Sequence, residues 1–467
     1  MRLHGGQGMS KLKRSEINAF TFYAFALTMF SAVSMNYTNI YMTDYLFYSA
    51  ALMGTTLLVG RIVDFVVAFI AGGIIEKSKL KWGKYRSWTM LCRFTAFAGT
   101  TLLFTNTSSL PTEVKVAVTI TAYILMHCSM AFLQTAQFGT LSLLAGADME
   151  ARNILSARNA QAMALANIVA SAAIIPLINF FTSIVGGANA YFLVAVLFGL
   201  LFLAGATSLA RIAAPYDPPK GKSSISKTTT PTVKEMFQSV VKNSQLLVYL
   251  TASSLHFIAM MWHQSLLAYY FTYILGDFLL MSIALTARTI FEAIGSLIGP
   301  KIGVKIGKKN AMVLGLIVYG IGFFAMTFLA REALIIYIVF ACIGALGMYL
   351  FMSFGPNYVI DAGEYGYYKT GKDHRTIAIN MYNVPVKMGF MIGGTLAGYG
   401  LDFIGYKAGM VVTPEFISKF MWVFAGIPGL VAIVGAIVML IGYKISDEAA
   451  AMYAKANAER VARHKAS

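Results

Sequence analysis

Residues 57–75 read LLVGRIVDFVVAFIAGGII, an apolar run interrupted near its middle by Arg61 and Asp64. A helix of about 20 apolar residues crosses the hydrocarbon of a bilayer. Three residues apart, Arg61 and Asp64 fall on one helix face. An ionised side chain at that depth is costly unless it meets protein, water or a partner. The run therefore predicts a transmembrane helix whose charged face looks inward.

Working outward, similar runs recur along almost the whole chain, which is 58% hydrophobic. The expected spans are roughly 17–42, 46–75, 86–106, 115–145, 154–180, 187–210, 246–275, 279–300, 310–330, 334–360, 377–405 and 418–443. The fold class expected is an all-α membrane protein of twelve transmembrane helices. The first span follows a basic leader with Lys11, Lys13 and Arg14, is too long for a secretory signal and lacks its small-residue cleavage site, so it reads as retained. Cys92, Cys128 and Cys342 lie in apolar runs without paired spacing and read as small core residues.

The net charge of +17 is distributed by loop. Basic residues crowd the N-terminus, residues 76–86 (EKSKLKWGKYR), Arg152 and Arg158, residues 211–242, 301–309 and 368–375, and the tail from Lys444. The intervening loops hold few, chiefly Lys115, Arg331, Lys407 and Lys419. Under the positive-inside rule this alternation places both termini in the cytoplasm, and nucleic-acid binding is not indicated. The organisation expected is a cytoplasmic N-terminus (1–16), a six-helix bundle (17–210), a Pro-, Ser-, Thr- and Lys-rich cytoplasmic linker (211–245), a second six-helix bundle (246–443) and a tail (444–467) able to form a helix on the membrane surface.

The halves echo each other. Residues 285–310, LTARTIFEAIGSLIGPKIGVKIGKKN, repeat the plan of span two and its loop: an arginine, an acid one turn later, small residues, then a basic Gly-Lys loop. Arg288 and Glu292 thus mirror Arg61 and Asp64, the sign of a protein built from internal repeats. Gly-rich stretches such as GFMIGGTLAGYG suit close helix packing.

Several residues carry chemistry. Arg61 and Asp64 either pair with each other, inertly stitching two helices, or leave the carboxylate facing a cavity where it holds Na+ or takes a proton. Lys387, about ten residues into its span, needs a counter-ion, for which Asp64 or an anionic substrate is available; snorkelling is the alternative. Span seven brings together His256, Trp262, His263, Gln264 and Tyr270. The histidines, at i and i+7, share a face, and such aromatic and polar groups stack on a sugar ring and bond its hydroxyls, although packing also explains them. Span one carries a polar seam with Thr28, and span four adds His127, Gln134, Thr135 and Gln137. No further ligands cluster for a metal, and no phosphate loop, HExxH or GxSxG is present, so a pump or hydrolase is not indicated and no cofactor is expected. An ion gradient is the expected energy source.

Four local motifs carry a family resemblance: YTNIYMTDYLF closing span one, RIVD followed by KLKWGKYRSW, YYFTYILGD closing span seven, and DAGEYGYYKTGK with VPVKMG beyond span ten. On these the chain resembles the glycoside-pentoside-hexuronide:cation symporters, the melibiose permease family of the major facilitator superfamily, over nearly its whole length. The resemblance implies two pseudo-symmetric six-helix bundles in the major facilitator fold, alternating access, and import of a sugar with H+, Na+ or Li+. By position, Asp64 matches the family's cation-site aspartate on helix two, and Lys387 its helix-eleven lysine. With Arg61 they form the expected cation-coupling group. Arg158 falls near a helix-five arginine associated with sugar binding. Asp361 and Glu364 stand in the family pattern D-x-x-D-Y-G-E-x-K-x-G and, with the repeat pair Arg288 and Glu292, are expected to take part in gating.

The departures are informative. A second helix-two carboxylate of melibiose permease is here Ala68, the aspartates of helices one and four are Thr28 and Thr135, and a helix-four tryptophan is Gly139. A cavity that has lost these negative charges while retaining Arg61, Lys387 and Arg158 favours an anion. The expected substrate is an acidic sugar, a hexuronide or a sulfonated monosaccharide, and the thinner oxygen cage shifts the expected ion toward H+. Substrate contacts are expected from Thr28, Gln134, Thr135, Arg158, His256, Trp262, His263, Gln264 and Lys387. The alternatives are a neutral glycoside carrier, a carrier of amphipathic lipids, and a membrane sensor without transport. A monomer in a bacterial inner membrane, with the sugar and a monovalent cation as partners, completes the expectation.

Overall fold

The computed structural model describes residues 12–78, 80–146, 148–218 and 240–466. The N-terminal segment expected over 1–16 and the linker over 211–245 therefore lie largely outside the described residues. Everything described is helix, turn or loop, with no strand. This is what a lipid environment demands, because each helix satisfies its own backbone polar groups.

Six helices form the first half: α1 (Arg14–Ile40), α2 (Ala50–Lys77), α3 (Lys84–Leu103), α4 (Thr112–Ala145), α5 (Met149–Val185) and α6 (Gly187–Ile212). The second half begins with α7 (Ser244–Tyr269), α8 (Leu280–Ile306), α9 (Lys308–Leu329), α10 (Leu334–Met352) and α11 (Gly355–Thr370). Next come α12 (Arg375–Asn380), α13 (Val384–Met388), α14 (Gly394–Phe403), α15 (Pro414–Met421), α16 (Ile427–Gly442) and α17 (Asp447–Ala466). Ten helical runs among the described residues are long and apolar enough to cross a membrane. The charged α3 and the interrupted run from α12 to α14 bring the spans to twelve.

Three expected spans prove to be broken. The tenth is two helices joined at Ser353 and Phe354, with Pro356 in the first turn of α11. The eleventh passes through a 3-10 turn (Met381–Asn383) and a π turn (Gly389–Gly393). Pro385 lacks the N–H that a continuous helix would use. A Cβ at Gly393 would lie 2.6 Å from the Ile258 carbonyl oxygen, so glycine alone lets this segment press on α7. The twelfth is α15 and α16 joined by the π turn Trp422–Gly426.

By packing, the chain divides into two compact units, Met1–Tyr48 with Val59–Lys227 and Ser49–Leu58 with Thr228–Ser467. In the first unit α1 packs on α5 and α6, and α3 on α4 and α6. Phe20, Tyr23, Leu27 and Phe30 meet Phe202, Ala206 and Leu209 in its core, with Phe30 and Phe202 stacked at 4.8 Å. Cys92 is one of these core residues. In the second unit α7 and α9 pack on α16, and α8 and α9 on α10.

The repeat is clearer in the hydrogen bonds than in the sequence. Both α1 and α7 end in π turns, Tyr41–Tyr45 and Tyr270–Ile274. The first tyrosine of each donates its hydroxyl to the carbonyl just past the third helix of its unit, Tyr41 to Phe104 (2.8 Å) and Tyr270 to Ala330 (2.6 Å). The third helices start alike as well. Gly83 (φ 106°) precedes α3 and Gly307 (φ 85°) precedes α9, each in the left-handed region that glycine accepts without strain. An aspartate from beyond each unit's last spanning helix caps the entry: Asp217 accepts from the amides of Lys84, Tyr85 and Arg86 (2.7–2.8 Å), and Asp447 from that of Lys308 (3.4 Å).

Candidate functional site

The charged helix of each unit builds its own cluster. In the first unit Gly60 leaves room for the ring of Tyr123 from α4, since a Cβ there would sit 2.4 Å from the ring. Tyr123 is thereby placed to accept a hydrogen bond from Arg61 Nε at 3.0 Å, and its ring stacks on His127 at 4.1 Å. Asp64, on the same stretch of α2, is 7% exposed. Tyr123 is absent from the sequence expectation. Its position four residues before His127 puts both on one face of α4, which is the signal that was available.

The remaining first-unit candidates are more open. Thr28 and Thr135 are half-buried and donate their hydroxyls to carbonyls of their own helices, Ala24 and Ala131, each at 2.9 Å. Gln134 and Arg158 are exposed, and Arg158 Nη1 donates to Gln161 Oε1 at 3.2 Å. Gln137 is buried and donates to Asn159 at 2.7 Å. Gly139, read from the sequence as a departure from a tryptophan, faces the ring of Tyr85, so a side chain there would collide with it.

In the second unit Arg288 Nε donates to Glu292 Oε1 at 2.9 Å, and Nη1 to Gln264 Oε1 of α7 at 2.7 Å. The repeat partner of the Arg61 and Asp64 pair is thus a formed ion pair, tied to a residue read from span seven. Lys387 is half-buried in α13.

The structure buries the rest of the span-seven candidates. His256 is fully buried among Phe257, Tyr319 and Phe351. His263 is buried against Phe323 and Phe424, with its Nδ1 2.9 Å from the Phe424 carbonyl oxygen. Trp262 is buried where the Gly393 turn and Gly400 approach α7. These three are enclosed by aromatic and glycine-lined surfaces of their own unit.

Asp361 and Glu364 join a polar cluster at the basic-loop end. Asp361 accepts from Lys308 Nζ, which also lies 3.4 Å from Asp447, and Tyr358 donates to the Lys308 carbonyl at 2.6 Å. Glu364 accepts from Arg375 (3.0 Å) and from Asn457 (2.6 Å). The tail helix α17, expected on a membrane surface, docks on α11: Asn457 is fully buried, Tyr453 packs on Tyr365 and Tyr368, and Arg460 donates to the Tyr367 carbonyl at 2.9 Å. Arg375 also donates to Asp373, and that hydrogen bond holds the Asp373 carboxyl below its ordinary value.

Two helix-borne arginine–acid clusters, set in units of matching plan, are the architecture of a transporter made of repeats. A family model described as MFS/sugar transport protein matches residues 19–447. The chain belongs to this family. It is 22% identical over 423 residues to the isoprimeverose transporter of Lactiplantibacillus pentosus, covering 88% of this chain and 85% of that one. It is 23% identical to the glucuronide carrier protein homolog of Escherichia coli (strain K12), covering 83% of each. Among solved structures, a bacterial homolog of the human lysosomal transporter Spinster superposes with a TM-score of 0.66 at 13% identity, over 96% of this chain and 97% of that one. Membership makes the chain a multi-pass sugar transporter of the major facilitator type.

Proposed function

We propose that this transporter is a symporter that imports an anionic sugar, a hexuronide or a sulfonated monosaccharide, by alternating access, driven by a monovalent cation and with H+ ahead of Na+. The observation that carries the coupling is Asp64, a 7% exposed carboxylate in an apolar spanning helix. A negative charge shielded from water there needs a positive one to balance it, either a bound cation or a proton. Arg61 and Lys387 complete the coupling group, and Arg61 is held by Tyr123. Arg288, Glu292, Asp361 and Glu364 serve the movement between states, and both termini face the cytoplasm of a bacterial inner membrane.

The preference for an anion rests on charge. Thr28, Ala68 and Thr135 are uncharged, while Arg61, Arg158 and Lys387 supply positive groups. A relative carries glucuronides by name, and a glucuronide bears a carboxylate. Thr28, Gln134, Thr135, Gln264, Arg158 and Lys387 remain the substrate contacts of this reading.

A neutral glycoside is the second reading, supported by the relative named for isoprimeverose. Uptake into proteoliposomes under an inward H+ or Na+ gradient separates the two. Methyl glucuronide should accumulate and methyl glucoside should not; accumulation of the glucoside alone would overturn the anionic reading.

A further inference from the structure

Residues 288, 292, 295 and 299 form one stripe along α8. Its C-terminal half meets α10 closely, since a Cβ at Gly299 would lie 2.8 Å from the Tyr349 carbonyl oxygen. The opposite side of the helix, Ile290, Ile294 and Leu297, is exposed and apolar. Arg288 and Glu292 thus stand away from the apolar outer face, each with 18% of its side chain still exposed.

The hydrogen bonds of the pair are half used. Arg288 spends Nε on Glu292 and Nη1 on Gln264. Among the described residues Nη2 has no acceptor and Glu292 Oε2 no donor. A guanidinium is a planar fork suited to gripping both oxygens of a carboxylate or sulfonate, whereas Glu292 engages it through one. The ionisable groups facing the pair are His263 from α7, Tyr319 from α9, and Tyr337, Cys342 and Tyr349 from α10. None is a carboxylate, so Glu292 is the sole acid competing for Arg288 in this cluster of described residues.

We propose that Arg288 is a specificity-determining residue that binds the acid group of the substrate, and that Glu292 is the internal carboxylate this group displaces. Gln264 keeps the guanidinium aimed during the exchange. The inference rests on the anionic-sugar reading. Displacement leaves one negative charge on α8 without its cation, and a co-transported cation or proton balances it. The second unit thereby contributes to coupling as well as to recognition.

The test is binding of methyl glucuronide and methyl glucoside to the purified full-length protein and its variants, with thermal melting alongside. Arg288→Gln should weaken glucuronide binding by about thirtyfold or more, as expected when a charged partner is truncated, and Arg288→Lys should restore part of it. Glu292→Gln, by removing the competitor, should tighten glucuronide binding about fivefold or more, within the usual range of coupling between sites. A pair that only stitches the unit together would weaken binding in both variants alike, and that result would overturn the proposal even if Arg288→Gln folds poorly. Glucuronide binding that survives in both Arg288 variants also overturns it while leaving the anionic reading intact. Wild-type protein that binds the glucoside and no glucuronide overturns both, and is recognised before any variant is made.

Discussion

The same sequence plan gives two different clusters. In the first unit Arg61 reaches a tyrosine on a neighbouring helix, and its acid is nearly closed off. In the second, Arg288 turns back onto its own helix and binds Glu292, leaving both side chains partly open. A glycine accounts for part of this: on α2, Gly60 admits a tyrosine ring beside the arginine. The helix caps differ in the same sense. Asp217 is 5% exposed and serves three amides, whereas the Asp447 side chain is 52% exposed and is shared between one long amide contact and Lys308 Nζ. The first unit encloses these acids more closely than the second.

The difference can be broken at several points. The largest effect belongs to Asp64→Asn, which should abolish cation-driven accumulation in proteoliposomes while substrate exchange partly persists; unchanged accumulation would make Asp64 structural. Next, Asp217→Ala should lower stability by about 2–3 kcal/mol, because three helix-end amides lose a charged acceptor. Asp447→Ala should cost less than about 1 kcal/mol, the scale of an exposed ion pair. Denaturant melts of both variants check this, and equal losses would erase the asymmetry. Tyr123→Phe removes one acceptor from Arg61 and should cost about 1 kcal/mol or roughly fivefold in transport efficiency. Tyr319→Phe, in the other unit, should leave transport near wild type.

The smallest effect concerns Asp373. Its folded value lies below the ordinary carboxylate value, so its contribution is complete above about pH 4 and is lost as the pH falls through the depressed value. Asp373→Asn should therefore reduce stability by less than about 1 kcal/mol at neutral pH and by nothing once the wild-type carboxyl is protonated. Melts of the two proteins at pH 7 and pH 3 would show the gap closing.

Much of the fold could be read from the chain because apolar runs and loop charges follow directly from the cost of burying polar groups in lipid. The twelve spans and the Arg61–Asp64 and Arg288–Glu292 repeat were legible for that reason. The interrupted helices were harder to see, since Pro385 and Gly393 mark breaks only once their packing on α7 is known. The charged clusters were legible and the aromatic surroundings were not. A histidine on an apolar helix has the same pattern whether it is open or enclosed by rings, and the enclosure of His256 and His263 is seen only in the structure. Tyr123 was marked only by its place one turn before His127, and the docking of α17 through Asn457 not at all, because each depends on a partner far along the sequence.

The most direct test is to record cation movement when sugar is added to proteoliposomes of wild-type protein and Asp64→Asn. Methyl glucuronide should draw H+ or Na+ inward with the wild type and none with the variant. An equal cation signal from both proteins, or sugar entry with no cation at all, would contradict the role assigned to Asp64.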